Sequence, residues 1–313
     1  MLIKRPVIID CDPGVDDTLA ICLAASHPEL DIRAINPVAG NVGYESTSQN
    51  ALRLADLIGI DCRVGRGAEE PLIAPCRTAG AVHGQGGLGG YQLPEAHRDF
   101  DVDYAWDILV QEARRAEGAL EVIALGPMTN LAIALTRYPE LKKLIRKITV
   151  MDGSADQGNT NVYAEFNVWV DPHACEIVFQ SGIPIAMCGL DGNDSCSMNT
   201  EEINGIFQRP CRLSDVIGHV SHFIHQRNTE QWHLPSSTIH DLVTMACFID
   251  PSIATYEPCY VTCETRSSIS AGQTVVDLYH VSGKKPNVDV LRRADKERFL
   301  QMLREMMDWY TQH

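Results

Sequence analysis

Four aspartates stand close together near the start of the chain, in the segment DCDPGVDD: Asp10, Asp12, Asp16 and Asp17. Carboxylates at this spacing repel one another, and two arrangements relieve the repulsion. A helix N-terminus accommodates one or two acidic groups through its free N–H groups and its dipole, which covers Asp16 and Asp17 if a helix begins after the Pro13-Gly14 turn. Asp10 and Asp12 stay unexplained by that arrangement. A bound cation offsets the repulsion of all four. Oxygen donors without His or Cys at ligand spacing suit a hard ion, Ca²⁺ or Mg²⁺, better than zinc.

The elements that must position this cluster follow from the apolar pattern. VIID at 7–10 precedes the helical GVDDTLAICLAAS, and IRAINPV at 32–38 precedes a helix through STSQNALRLADLIG, a βαβ opening. The alternation resumes with LEVIALG at 120–126 before MTNLAIALTRY, and with KITVMDG at 147–153 ahead of a long loop and the helix DPHACEIVFQSG. IPIAMCGLD at 183–191 continues it. Helices are then expected around 200–208, 214–230 and 239–248, strands near 258–263 and 273–279, and a closing helix from 295. The predicted fold class is α/β: an open, mainly parallel sheet flanked by helices, in one domain over 1–313. Such sheets bind ligands beyond the carboxyl ends of their strands. Those ends hold Asp10 and Asp12, Asn41, the turn at Leu125-Gly126, and Asp152.

Composition narrows the function. A net charge of −15 argues against a protein that tracks nucleic-acid phosphates and favours an uncharged or cationic small ligand. No segment is apolar enough to span a bilayer, and the N-terminal apolar run is too short for a signal peptide, so no membrane partner and a cytoplasmic setting are expected. Eleven cysteines scattered beside apolar residues suit buried thiols in a reducing compartment, and Cys259 and Cys263 lack zinc-site spacing.

The complete DxDPGxDD segment resembles the N-terminal fingerprint of the inosine-uridine-preferring nucleoside hydrolases. The likeness continues through VAGN (38–41), VHGQGGLGG (82–90), LGPMTN (125–130), GNTNVYAEFNVWVDP (158–172) and IHD (239–241), nearly the whole chain. The resemblance implies a Rossmann-like core, one Ca²⁺ per subunit, a nucleoside substrate and a homodimer or homotetramer. It implies that Asp12 is general base and metal ligand, joined on the metal by Asp17, the Leu125 carbonyl and Asp241, with Asp10 orienting the set. Asp16, Asn41, Asn159, Glu165 and Asn167 would hold the ribose. His240 could protonate the leaving base, because its side chain titrates near neutral pH. His83 would reach the base from a Gly-rich loop. Gln226, Asn228, Gln231 and Trp232 occupy a stretch that contacts the base in the family, with Trp232 able to stack on it.

The chain departs from the family's pattern at Met151-Asp152-Gly153-Ser154, where MGG is common, so a carboxylate is expected against the sugar. Gln85 and Gly86 replace a more usual Glu and Ser, and Gly192-Asn193-Asp194 a Val-Thr continuation. Two other readings compete. A haloacid-dehalogenase-type phosphatase also begins with DxD, but wants Thr or Val where Gly14 stands and has no use for Asp16-Asp17 or IHD. A non-catalytic binder of ribosyl ligands is the alternative within the same cup.

Overall fold

The computed structural model describes residues 4–313. The apolar runs form β1 (Arg5–Cys11), β2 (Leu30–Pro37), β3 (Arg63–Val64), β4 (Leu120–Ala124), β5 (Ile145–Val150), β6 (Ile185–Met187), β7 (Ala254–Cys259), β8 (Val261–Cys263), β9 (Thr274–Val276) and β10 (Val288–Ala294). Eight of them make one sheet in the order β3-β2-β1-β4-β5-β6-β10-β7. Every neighbouring pair is parallel except β10 with β7, and β8 and β9 form a separate antiparallel pair. From Val7 to Cys11, β1 is buried on both sides, as expected for a central strand of a parallel sheet covered on both faces.

Two apolar cores lie on opposite faces of the sheet. One packs the helices Val15–Ala25, Tyr44–Ile58, Ser214–Gln226, His240–Ile249 and Lys296–Gln312; the other packs Ala105–Arg115, Thr129–Arg137 and Pro172–Phe179. Leu19 and Ile21, fully buried in the first, each contribute about 1.5–3 kcal/mol by leaving water. Local chemistry fixes the helix ends. Asp171 caps Pro172–Phe179 by accepting the Ala174 N–H at 3.0 Å, with Pro172 in the first turn where its missing N–H costs nothing. Gly59, at φ 79°, ends Tyr44–Ile58 in the left-handed conformation.

The expected helix over 214–230 stays α-helical only to Gln226; Arg227–Gln231 then widens into a π-turn. The strand expected over 258–263 is divided between β7 and β8, while β10 and the helix Ala105–Arg115 were not expected at all. All eleven cysteines are free, with Cys259 and Cys263 buried. Among the described residues no helix is long and apolar enough to cross a membrane.

Candidate active site

β1 lies between β2 and β4, so the loops that follow these neighbours diverge on either side of Asp12 and open a crevice. The Asp12 carboxylate is gripped there by two glycines. A Cβ on Gly40 would stand 2.0 Å from Asp12 Oδ2, and one on Gly126 2.4 Å from Oδ1. Only hydrogen at both positions lets the carboxylate in. Asp12 Oδ2 accepts the Asn41 N–H at 2.7 Å, while the buried Oδ1 has no hydrogen-bond partner.

The Asn41 side-chain amide ties the cluster together. Its Nδ2 donates to the Asp12 carbonyl and to Asp17 Oδ2, each at 3.0 Å. Asp17 sits in the first turn of Val15–Ala25, and its Oδ2 also accepts the Gly14 N–H at 2.9 Å, so the capping role is real. Its Oδ1 nevertheless has no partner, nor do Oδ1 of Asp10 and Oδ1 of Asp16. Asp10 is steadied from behind by Asn130 Nδ2 at 3.1 Å. Burial pushes Asp10 up to about 8, and burial reinforced by Asp16 brings Asp17 to the same value. Burial, then Asp17, holds Asp12 well above the carboxylate range; burial, then Asp16 and Asp17, does so for Asp241.

These groups fit a hard cation. Asp16, Asp17 and Asp241 each turn one oxygen into a common space, all within 4.8 Å of one another. Several buried carboxylate oxygens without donors are the arrangement a divalent ion completes. The Leu125 carbonyl accepts the Asn167 amide at 2.9 Å and keeps a second lone pair free.

Above the carboxylates opens a cup of about 920 Å³, large enough for a drug-sized or nucleoside-sized ligand. Asp16, Asn41, His83, Asn159, Glu165, Asn167, Trp232, His240 and Asp241 all line it, with Leu125 and Met151. Glu165 caps the short helix Phe166–Val170, accepting the N–H groups of Asn167 (2.9 Å), Val168 (3.1 Å) and Gly153 (3.1 Å), and burial brings it to about 7. That capped turn aims Asn167 Nδ2 at the carbonyls of Leu125 and Met151. His240, also in the lining, opens the helix His240–Ile249 with an unpartnered Nδ1. Burial lowers its pKa, opposed by Asp194 and Asp16. His83 ends a helical turn, Gly80–His83, and its Nδ1 lies 3.7 Å from Asp16. Trp232 is half exposed at the rim.

Asp152, like Asp10, Asp12 and Asp17, is not among the residues that line the cup. It is fully buried beside it, both oxygens unpartnered, with Glu165, Cys263 and Asp10 as its acidic neighbours, and burial drives its pKa well up. Met151, one residue earlier, lines the cup. Three further contributors carried little sequence signal: the Gly40–Gly126 cradle, Asn130 behind Asp10, and Arg227 in the cup wall. VAGN and LGPMTN did contain the first two, but a glycine's close approach needs coordinates to be seen.

Residues 7–301 match the family model described as inosine-uridine preferring nucleoside hydrolase. The chain is 37% identical over 308 residues to the pyrimidine-specific ribonucleoside hydrolase RihA of Citrobacter koseri, covering 98% of this chain and 99% of that one. Its fold superposes on the purine-preferring ribonucleoside hydrolase from Gardnerella vaginalis with a TM-score of 0.91 at 28% identity, over 99% and 100% of the two chains. A plant nucleoside hydrolase gives the same TM-score at 30% identity, over 97% and 99%.

Proposed function

The chain belongs to the inosine-uridine preferring nucleoside hydrolase family and is an N-glycosyl hydrolase acting on ribonucleosides; we propose that it takes pyrimidine ribonucleosides, with Asp12 as general base, His240 as proton donor to the base and Ca²⁺ as its metal. The pyrimidine preference is supported by the name of the Citrobacter relative, at 37% identity over nearly the full length. The observation that carries the catalytic assignment is the gripped Asp12 carboxylate, with one oxygen held by Asn41 and the other free.

Asp12, Asp17, the Leu125 carbonyl and Asp241 would hold the calcium, with Asp10 and Asn130 behind them; Asp16 also turns an oxygen toward that space. When bound, the ion supplies positive charge that keeps these carboxylates ionised and polarises a nearby water. Asn41, Asn159, Glu165 and Asn167 offer the polar groups for the ribose hydroxyls, so binding energy goes into orienting the sugar. Water adds to the anomeric carbon as the glycosidic bond breaks, its proton passes to Asp12, and the bonding pair leaves with the base. His240 lines the cup next to Asp241; burial lowers its pKa against the opposing charge of Asp194 and Asp16, which makes its protonated form the stronger acid toward the departing base. His83 and Trp232 flank the base end. The eleven free thiols support a cytoplasmic setting, and the family resemblance supports a homodimer or homotetramer.

Free-base release from uridine, cytidine, inosine and adenosine tests the reading, with calcium, after chelation, and with Asp12→Asn. Calcium-dependent release, fastest with a pyrimidine and lost in Asp12→Asn by a factor of about 10²–10⁴, is expected. Undiminished release by the variant removes Asp12 from the mechanism.

A further inference from the structure

Arg227 is the one lysine or arginine among the residues lining the cup. It is the first residue of the π-turn Arg227–Gln231 and is only 6% exposed. Its guanidinium lies 4.0 Å from the centroid of the Trp232 ring and donates through Nη1 to the Val82 carbonyl, next to His83. Two elements therefore hold it still, the rim that carries Trp232 and the flap that carries His83. No carboxylate pairs with it among the described residues; Asp16 acts on it only from a distance.

A guanidinium has five N–H donors and no acceptor. Nη1 donates to Val82, and the other guanidinium nitrogens have no protein acceptor among the described residues and keep contact with solvent, on a residue that lines the cup. A guanidinium held in place with unused donors is ready to take an acceptor oxygen from a ligand. Ribose is provided for elsewhere, by the carboxylates and amides of the floor. The Arg227 end of the cup is walled by a flat aromatic ring and by Ile224 and Leu234, which suits the base.

Resting on the hydrolase reading above, we propose that Arg227 is a specificity-determining residue: it binds the oxo group at the ring position where uracil differs from cytosine and hypoxanthine from adenine. When the glycosidic bond breaks, its electron pair passes to the ring nitrogen of the base and spreads onto the carbonyl oxygens. A fixed guanidinium donor at such an oxygen interacts more strongly as that charge grows, which lowers the barrier rather than merely tightening binding. An amino group at the same position turns donor against donor and forfeits the contact. The water proton still goes to Asp12, and the departing base takes its proton from His240.

The experiment compares kcat/KM for uridine, cytidine and 4-nitrophenyl riboside in the calcium-loaded wild type, Arg227→Gln and Arg227→Lys. The wild type should prefer uridine to cytidine. Arg227→Gln should lower uridine turnover about 100-fold, cytidine turnover by less than about tenfold, and nitrophenyl riboside turnover least, because that leaving group needs little help. Arg227→Lys, which keeps the charge, should recover part of the uridine preference. An equal loss on all three substrates makes Arg227 a structural tie between Val82 and Trp232 and overturns the proposal, as does an unchanged ratio of uridine to cytidine. A wild type that cleaves the nitrophenyl riboside but shows no preference between uridine and cytidine sinks the Arg227 assignment alone. One that cleaves none of the three sinks the hydrolase reading as well.

Discussion

Stripping the chain of divalent cation should make its stability fall as the pH rises, and restoring calcium should make that slope shallower. The reason lies in the buried carboxyls. Asp10 and Asp17 are held at about 8 against an ordinary 3.8, and Glu165 at about 7 against 4.5, each chiefly by burial. The sign follows directly. Where the folded pKa is raised, the unfolded chain binds fewer protons over the interval between the two values, so stability is fullest below about pH 4 and declines toward about pH 8. At about 1.4 kcal/mol per pH unit, that interval gives on the order of 6 kcal/mol for Asp10 alone, comparable to the whole stability of many domains. Carboxylates whose pKa is lowered, such as Asp101 beside Arg63, act in the opposite sense, but only at more acid pH. Urea unfolding followed by circular dichroism, from about pH 7 to about pH 8, above the range where the buried histidines act in the opposite sense, therefore isolates the buried carboxyls. Calcium at about 1,000 times its dissociation constant should add about 4 kcal/mol at the alkaline end, since it binds the ionised site. Chelated protein that grows more stable over this range, or identical slopes with and without calcium, would refute the reasoning.

Other substitutions follow from the same geometry. Gly40→Ala places a Cβ against Asp12 Oδ2, so the carboxylate must move by about 1 Å or more; kcat/KM should fall about 100-fold while far-ultraviolet circular dichroism stays unchanged. Asp152→Asn replaces a carboxyl that has no hydrogen-bond partner and does not line the cup, so it should raise unfolding stability at about pH 8 by about 1–3 kcal/mol and leave KM for the nucleoside as it was; a large rise in KM would return Asp152 to the sugar. Asn130→Ala removes the buried bonds to Asp10 and to the Pro37 carbonyl and strands the Ala68 N–H, so a loss of about 2–4 kcal/mol is expected by urea unfolding.

Much of the sheet was legible because β1, β2, β4, β5 and β6 each carry a short stretch rich in Ile, Val and Ala, and because β1, β2 and β4 are followed by helices of the right period. β10 was not, since its partners β6 and β7 are set by the tertiary fold and its own sequence, VDVLRRA, carries two adjacent arginines. Charge repulsion within DCDPGVDD pointed to a cation site, and the unpartnered Oδ1 atoms of its four aspartates fit that argument; the role of each aspartate came from the family resemblance. Asp152 was expected at the sugar from its strand-end position and from the family's pattern, whereas Met151, one residue earlier, is the one that lines the cup. Arg227 could not be read at all, for its contact with Val82 spans 145 residues and its cup position depends on a helix that widens at Gln226.

The strand order also explains why this chemistry requires glycines in two separate loops. β1 is the strand from which the sheet grows in both directions, toward β2 and β3 on one side and toward β4, β5 and β6 on the other. A residue just past its carboxyl end must therefore share space with the loops leaving both neighbours, and Gly40 and Gly126 are the points of closest approach. Any side chain at either point would expel the Asp12 carboxylate from the crevice. With both glycines present, Asp12 is fixed by steric contact on two sides and by one hydrogen bond, which leaves an oxygen free for chemistry. Such a group is pre-oriented before substrate arrives, but its burial raises the pKa of the base that must be ionised to act. The acidic cluster around it makes that worse unless a cation is present. Catalytic competence, carboxylate ionisation and folded-state stability are thus joined at one point of the sheet, and cation removal should diminish all three together.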